Sequence, residues 1–161
     1  MRNFMLLAAL TWLAPDGADA ASLTDAFARL KTLVGTWDVE DAERFVVYSL
    51  SGGGETLVEE FKGEPTMASF YHRDGEKLML THYCNAGNQP RMTAASYDEA
   101  KGILSFRFLD VTNLKAPNAY HTRDLDVRFL SDDRIELVFT GLKDGEEVES
   151  VLTLTRRPDG S

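Results

Sequence analysis

Seven polar side chains carry the types and spacings from which chemistry could be built. His82 and Cys84 form a His-x-Cys pair, Asn88, Gln89 and Arg91 follow closely, and Asp110 and His121 come later. On a strand, His82 and Cys84 share one face about 7 Å apart at the backbone. That spacing permits metal coordination or ligand contact without demanding either. Arg91 offers a planar guanidinium fork suited to a carboxylate or phosphate head group; its plainer use is an ion pair with Asp110. His82 has a plain use too, as a core histidine satisfied by a backbone carbonyl or by Asp110. Asn85 and Asn88 are common turn formers. No nucleophile elbow, phosphate loop or zinc-protease helix motif is present.

The elements that must position these residues follow from periodicity. Leu23, Phe27, Leu30 and Val34 recur at helical spacing, and Gly35 follows as a stop, so a short helix is expected over 23–34. The period then changes to two. Strands are expected at 36–40, 45–51, 55–62, 67–72, 77–84, 91–97, 102–110, 121–130, 134–141 and 146–156. Short turns join them, among them Gly52-Gly53-Gly54, Asp74-Gly75 and Asp144-Gly145. Short connections favour antiparallel neighbours in chain order. Ten such strands leave two bare edges unless they close, so the fold class expected is all-β: a ten-stranded antiparallel up-and-down barrel with a short N-terminal helix.

Alternation assigns faces and rims. Leu78 and Leu80 share their face with His82 and Cys84; Leu104, Phe106 and Phe108 share theirs with Asp110; Leu125 and Val127 share theirs with His121 and Arg123. These faces are expected inside. The ends of odd strands and the starts of even strands meet at one rim, called the upper rim. All seven polar residues are expected there, below a long 111–120 loop. Glu59-Glu60 is expected to be solvated.

Leu33-Val34-Gly35-Thr36-Trp37 resembles the G-x-W signature of lipocalin-like (calycin) barrels. The resemblance implies that Trp37 packs under an arginine of the last strand, Arg156 or Arg157, and closes the lower end. The order of elements is also similar to fatty-acid-binding and nitrobindin-type barrels, although no G-x-G follows Trp37 as in the haem-binding pattern. The segment from Tyr71 to Met92, with Thr81-His82-Tyr83-Cys84-Asn85, resembles exported bacterial lipocalin-like proteins. That likeness implies a fold and a ligand cavity, and no particular activity.

Composition narrows the partners. Arg2, the apolar run Phe4 to Leu13 and Ala18-Asp19-Ala20 read as a signal peptide over 1–20, cut before Ala21, with a single domain over 21–161. The expected location is therefore periplasmic or secreted. The run is too short to span a membrane, which takes about 20 residues. Removing Arg2, Asp16 and Asp19 takes the basic and acidic counts from 17 and 26 to 16 and 24, a net charge of about −8. That balance argues against nucleic acid and anionic membranes. Cys84 is the only cysteine, so no internal disulfide can form.

Three readings follow. The first is a binding protein for a small amphipathic or anionic molecule, its apolar part against Leu80, Phe106, Phe108, Leu125 and Val127 and its head at Arg91, His82 and His121. The second is an isomerase, cyclase or hydrolase with His82 or His121 as general base and Arg91 stabilising an anion. The third is a filled barrel serving as a structural or interaction module. No cofactor is expected; metal or haem through His82 and His121 is a minor alternative. Oligomeric state is left open.

Overall fold

The computed structural model describes residues 20–158, with side chains from Leu23 onward. The leader expected over 1–20 lies, but for Ala20, outside the described residues. A helix, α1 (Ala20–Lys31), precedes ten strands: β1 (Gly35–Val39), β2 (Phe45–Ser51), β3 (Thr56–Lys62), β4 (Met67–Asp74), β5 (Lys77–Tyr83), β6 (Gln89–Asp98), β7 (Ile103–Thr112), β8 (His121–Phe129), β9 (Arg134–Lys143) and β10 (Glu146–Arg156). Each strand pairs antiparallel with its chain neighbours, and β1 pairs with β10, so the sheet closes into a ten-stranded barrel. Closure satisfies the ladder bonds that both end strands would otherwise expose.

The helix buries Leu23, Ala26, Phe27 and Leu30. It lies against β5 and β6, at the rim opposite the polar residues. It ends three residues earlier than its apolar spacing suggests. The N–H groups of Thr32, Leu33 and Val34 donate to the carbonyls three residues back, at 3.2, 3.0 and 3.3 Å, which tightens the chain out of the helix. The carbonyls of this turn are then taken from outside. Trp37 Nε1 donates to Leu33 O at 2.7 Å. The Arg156 guanidinium donates to Val34 O at 2.9 Å and Thr32 O at 2.8 Å.

Trp37 and Arg156 face each other directly across β1 and β10. The Arg156 guanidinium lies 4.3 Å from the Trp37 ring centroid, over a tryptophan with no exposure. Gly35 stands beside them with φ +134°, and a Cβ there would lie 3.2 Å from the Arg156 guanidinium. Glycine is thus required both by backbone angle and by the arginine's approach. This is the lower-end closure expected for Trp37, and Arg156 is the arginine that makes it.

The interior is filled from this end upward. Leu57, Phe61, Leu80, Met92, Phe106 and Leu125 belong to one buried cluster. Leu80, Phe106, Leu125 and Val127 are fully packed within it, so they form the core and not a ligand-facing wall.

Candidate functional site

Two bulges decide which polar residues reach the interior. In the β6–β7 ladder Arg91 is opposite Asp110, but Met92 is opposite Phe108, so Leu109 is an extra residue. Such an insertion shifts the alternation by one. Phe108 follows the inward Met92, and Asp110 follows Arg91, whose other cross-strand neighbour is Thr81, one step from the inward His82. Arg91 and Asp110 therefore sit on the outer wall, each side chain 45% exposed, in a bidentate ion pair with Nε 2.6 Å from Oδ1. The Arg91 guanidinium holds the Asp110 carboxyl below the usual range. The mouth position expected for both is corrected: the guanidinium points away from the cavity and is already occupied.

The second bulge is in β8. Thr122 is opposite Gly141 and Asp124 opposite Thr140, leaving Arg123 as the extra residue. Thr122 thereby lines the cavity, while His121, one step along and opposite Leu142, is buried beside it and is not one of the cavity's lining residues. The His121 ring packs 5.5 Å from the Phe108 ring, and its Nδ1 lies 3.0 Å from Ala119 O. His82 and His121 are thus not two ligands of one cavity. Among the described residues no three His, Cys, Asp or Glu side chains are grouped as a metal centre needs.

The β5–β6 turn explains Asn88 and Gln89. Cys84 N donates to Asn88 O at 3.1 Å and Gly87 N to Cys84 O at 2.9 Å. Asn88 Nδ2 donates to Tyr120 O at 2.7 Å, tying this turn to the start of β8. Gln89 accepts from Thr112 Oγ1 at 2.8 Å and donates to Gly87 O at 3.2 Å. Both amides build the rim and neither lines the cavity.

A cavity of about 270 Å³ does open at the upper rim. Of the expected residues, His82 and Cys84 line it. Met67, Phe139 and Leu152 give it an apolar wall; Arg44, Asn85, Tyr120, Thr122 and Ser150 complete it. Arg44 lies in the short β1–β2 connection, and its guanidinium has no ion-pair partner among the described residues. Its position beside β2 was readable from the sequence; its convergence on the mouth depends on strands far apart in the chain.

Beneath the cavity runs a polar row that the sequence reading missed. Tyr48, Glu59, Ser69 and His82 are successive cross-strand partners on β2, β3, β4 and β5. All four are buried, Glu59 completely. Glu59 is therefore a core residue, contrary to the solvated position expected for it. Leu57 and Phe61 flank it at the period of a strand, and that alternation was the available signal. Glu59 Oε2 accepts from Tyr48 OH at 2.8 Å and Tyr71 OH at 2.9 Å. Oε1 has no hydrogen-bond partner among the described residues. Burial pushes the carboxyl's pKa up, against the hydroxyls of Tyr48, Ser69 and Tyr71, which favour the ionised form. Burial, and then the charge of Glu59, push both tyrosines well above their ordinary range.

Ser69 Oγ lies 2.9 Å from His82 Nδ1. The histidine also lines the cavity, with the Phe139 ring 6.3 Å from its own. Burial pushes the imidazole down to about 4. At neutral pH it is an uncharged ring able to donate or accept one hydrogen bond at the mouth.

No protein-family model matches this chain, and no curated protein is significantly similar to it.

Proposed function

We propose that this chain is an exported, lipocalin-like binding protein whose mouth holds a small amphipathic molecule with an anionic head, such as a short carboxylate. The observation that carries this reading is the pairing of an apolar wall, Met67, Phe139 and Leu152, with Arg44, which has no ion-pair partner among the described residues, at one cavity of about 270 Å³. An unpaired guanidinium at a concave, partly apolar site is a natural receptor for a carboxylate. The volume falls just below the roughly 300–1,000 Å³ usual for ligand pockets, so the molecule is small. The leader pattern over 1–20 supports export, and the Trp37–Arg156 closure supports the likeness to lipocalin-like barrels.

Arg44 takes the head-group role first expected of Arg91. The apolar contacts move from the packed core to the mouth. The core below is filled, so a ligand held inside the barrel would sit at the mouth.

Two-dimensional NMR with hexanoate tests the location. Shifts should concentrate on Arg44, Met67, His82, Phe139 and Leu152. Shifts confined to Arg91, Asp110 or the lower rim would contradict the assignment.

A further inference from the structure

The buried row under the mouth has a property that packing alone does not require. A carboxyl group placed among apolar side chains is costly unless its oxygens are bonded. Glu59 receives both tyrosine hydroxyls on one oxygen, Oε2, and Oε1 is buried with no partner at hydrogen-bond geometry among the described residues. With Oε2 occupied by two donors, a proton on this carboxyl belongs on Oε1. The neighbouring hydroxyl on the next strand is Ser69, directly opposite Glu59 in register. Ser69 in turn lies within hydrogen-bond distance of His82 Nδ1, and His82 lines the cavity.

We infer that Glu59 sets, through Ser69, which ring nitrogen of His82 carries the proton at the cavity, so that the mouth takes up a small carboxylate together with a proton. This inference rests on the binding reading above and names its proton linkage.

The polarity of the row follows from counting donors. A hydroxyl has one hydrogen, and a neutral imidazole has one. With Glu59 protonated, the carboxyl can donate towards Ser69, and Ser69 directs its own hydrogen to His82 Nδ1. The imidazole proton is then on Nε2, pointing at the cavity as a donor. With Glu59 ionised, the Ser69 hydrogen is drawn to the carboxylate. His82 then donates from Nδ1 to Ser69, and Nε2 presents a lone pair. A carboxylate ligand accepts from the first arrangement and is repelled by the second. Its binding therefore favours protonated Glu59, and by reciprocity a proton on Glu59 favours its binding.

The charged and titratable groups that bear on the row are few. Tyr48 faces Glu59 from β2, Tyr71 from β4, and His82 lies beyond Ser69 on β5. Arg44, Cys84 and Tyr120 share the cavity lining with His82. The core residues contributed by β1 and by β6 to β10 include Trp37, Met92, Phe106, Leu125, Leu137 and Leu154, none of them ionisable. Burial raises the Glu59 carboxyl above its ordinary range, against the hydroxyls that favour its ionised form.

The test needs no ligand for its first half. Nitrogen-15 NMR of histidine-labelled full-length protein reports the His82 tautomer across pH 5 to 9. The expected result is Nε2–H at the acidic end, changing to Nδ1–H as pH rises. In Glu59→Gln, whose amide always has a hydrogen to donate, the tautomer should stay Nε2–H throughout. In Ser69→Ala, which keeps Glu59 but breaks the link, it should cease to follow Glu59. A tautomer that is constant in the native protein, or that still changes in Glu59→Gln, overturns the inference and leaves the binding reading standing. The second half is calorimetry with hexanoate. Affinity in the native protein should fall by up to about tenfold per pH unit above the Glu59 titration, the limit for one linked proton. In Glu59→Gln it should be flat. If the tautomer switches but hexanoate does not bind at any pH, the ligand coupling and the binding reading fall together.

Discussion

The Ser69 hydroxyl, 2.9 Å from His82 Nδ1, joins the buried interior of the barrel to the wall of its mouth. It also fixes an uncharged histidine in a place where a charged one is disfavoured. In the unfolded chain His82 takes a proton near its ordinary 6.5, whereas in the fold it does so only near about 4. Because the folded pKa is depressed, stability is fully present above about 6.5 and is lost as pH falls towards 4. The gap corresponds to about 3 kcal/mol at most. Urea unfolding at pH 7.5 and 4.5 should show this loss in the native protein and a smaller one in His82→Gln. Equal pH slopes in the two would contradict the placement.

Glu59 has the opposite sign. Its folded pKa is raised, so the stability of the protonated carboxyl is complete below the ordinary 4.5 and declines as pH rises through the folded value. Glu59→Gln should therefore gain stability relative to the native protein as pH increases from 4.5 upward, and then level off. Tyr48→Phe and Tyr71→Phe each remove one donor from Oε2, and each should destabilise by about 1–3 kcal/mol in urea unfolding. If both tyrosine variants unfold like the native protein, the Glu59 hydrogen bonds do not form in solution.

How far the sequence led is clearest at four places. The turns and the period of two led to ten strands in chain order, because each hairpin is a local event with local residue signals. The Trp37 closure was implied by the resemblance of Leu33-Val34-Gly35-Thr36-Trp37 to the G-x-W signature, while strand order alone placed Trp37 and the last arginines at one rim. The outer position of Asp110 was not legible. Leu109 and Arg123 are ordinary residues, with no glycine or proline beside them to mark a bulge, yet each insertion shifts the faces of the residues on its rim side. Glu59 was missed for another reason. Its parity with Leu57 and Phe61 was plain, but composition favours a solvated glutamate, and only Tyr48 and Tyr71 from other strands make its burial tolerable.

The lower end carries a separate expectation. Arg156 bonds Thr32 O and Val34 O and covers Trp37, a set of contacts that uses a planar, multi-donor head. Lysine cannot reproduce it. Arg156→Lys should destabilise by about 1–2 kcal/mol and speed hydrogen exchange in the 32–37 segment. Unchanged exchange there would mean that the arginine does not hold the turn.

At the upper end, Gly141 gives room to Tyr120. A Cβ at position 141 would lie 2.6 Å from Tyr120 Cε2, near the far end of that side chain. Asn88 holds the Tyr120 backbone in place through its carbonyl, so the ring is the part free to move. Gly141→Ala should fold normally, displace the ring and change hexanoate affinity several-fold. NMR shifts around residues 118–122 would record the displacement. A variant that fails to fold would show that glycine is needed by the β8–β9 ladder instead.

Binding calorimetry with hexanoate and its neutral amide, hexanamide, addresses the central claim most directly, applied to the native protein, Arg44→Ala and Arg91→Ala. Native protein should prefer the carboxylate, Arg44→Ala should lose that preference while still binding the amide, and Arg91→Ala should behave as native because its guanidinium is paired with Asp110 on the outer wall. Equal affinity for both compounds in the native protein, or loss of the preference in Arg91→Ala and not in Arg44→Ala, would contradict a carboxylate site at this mouth.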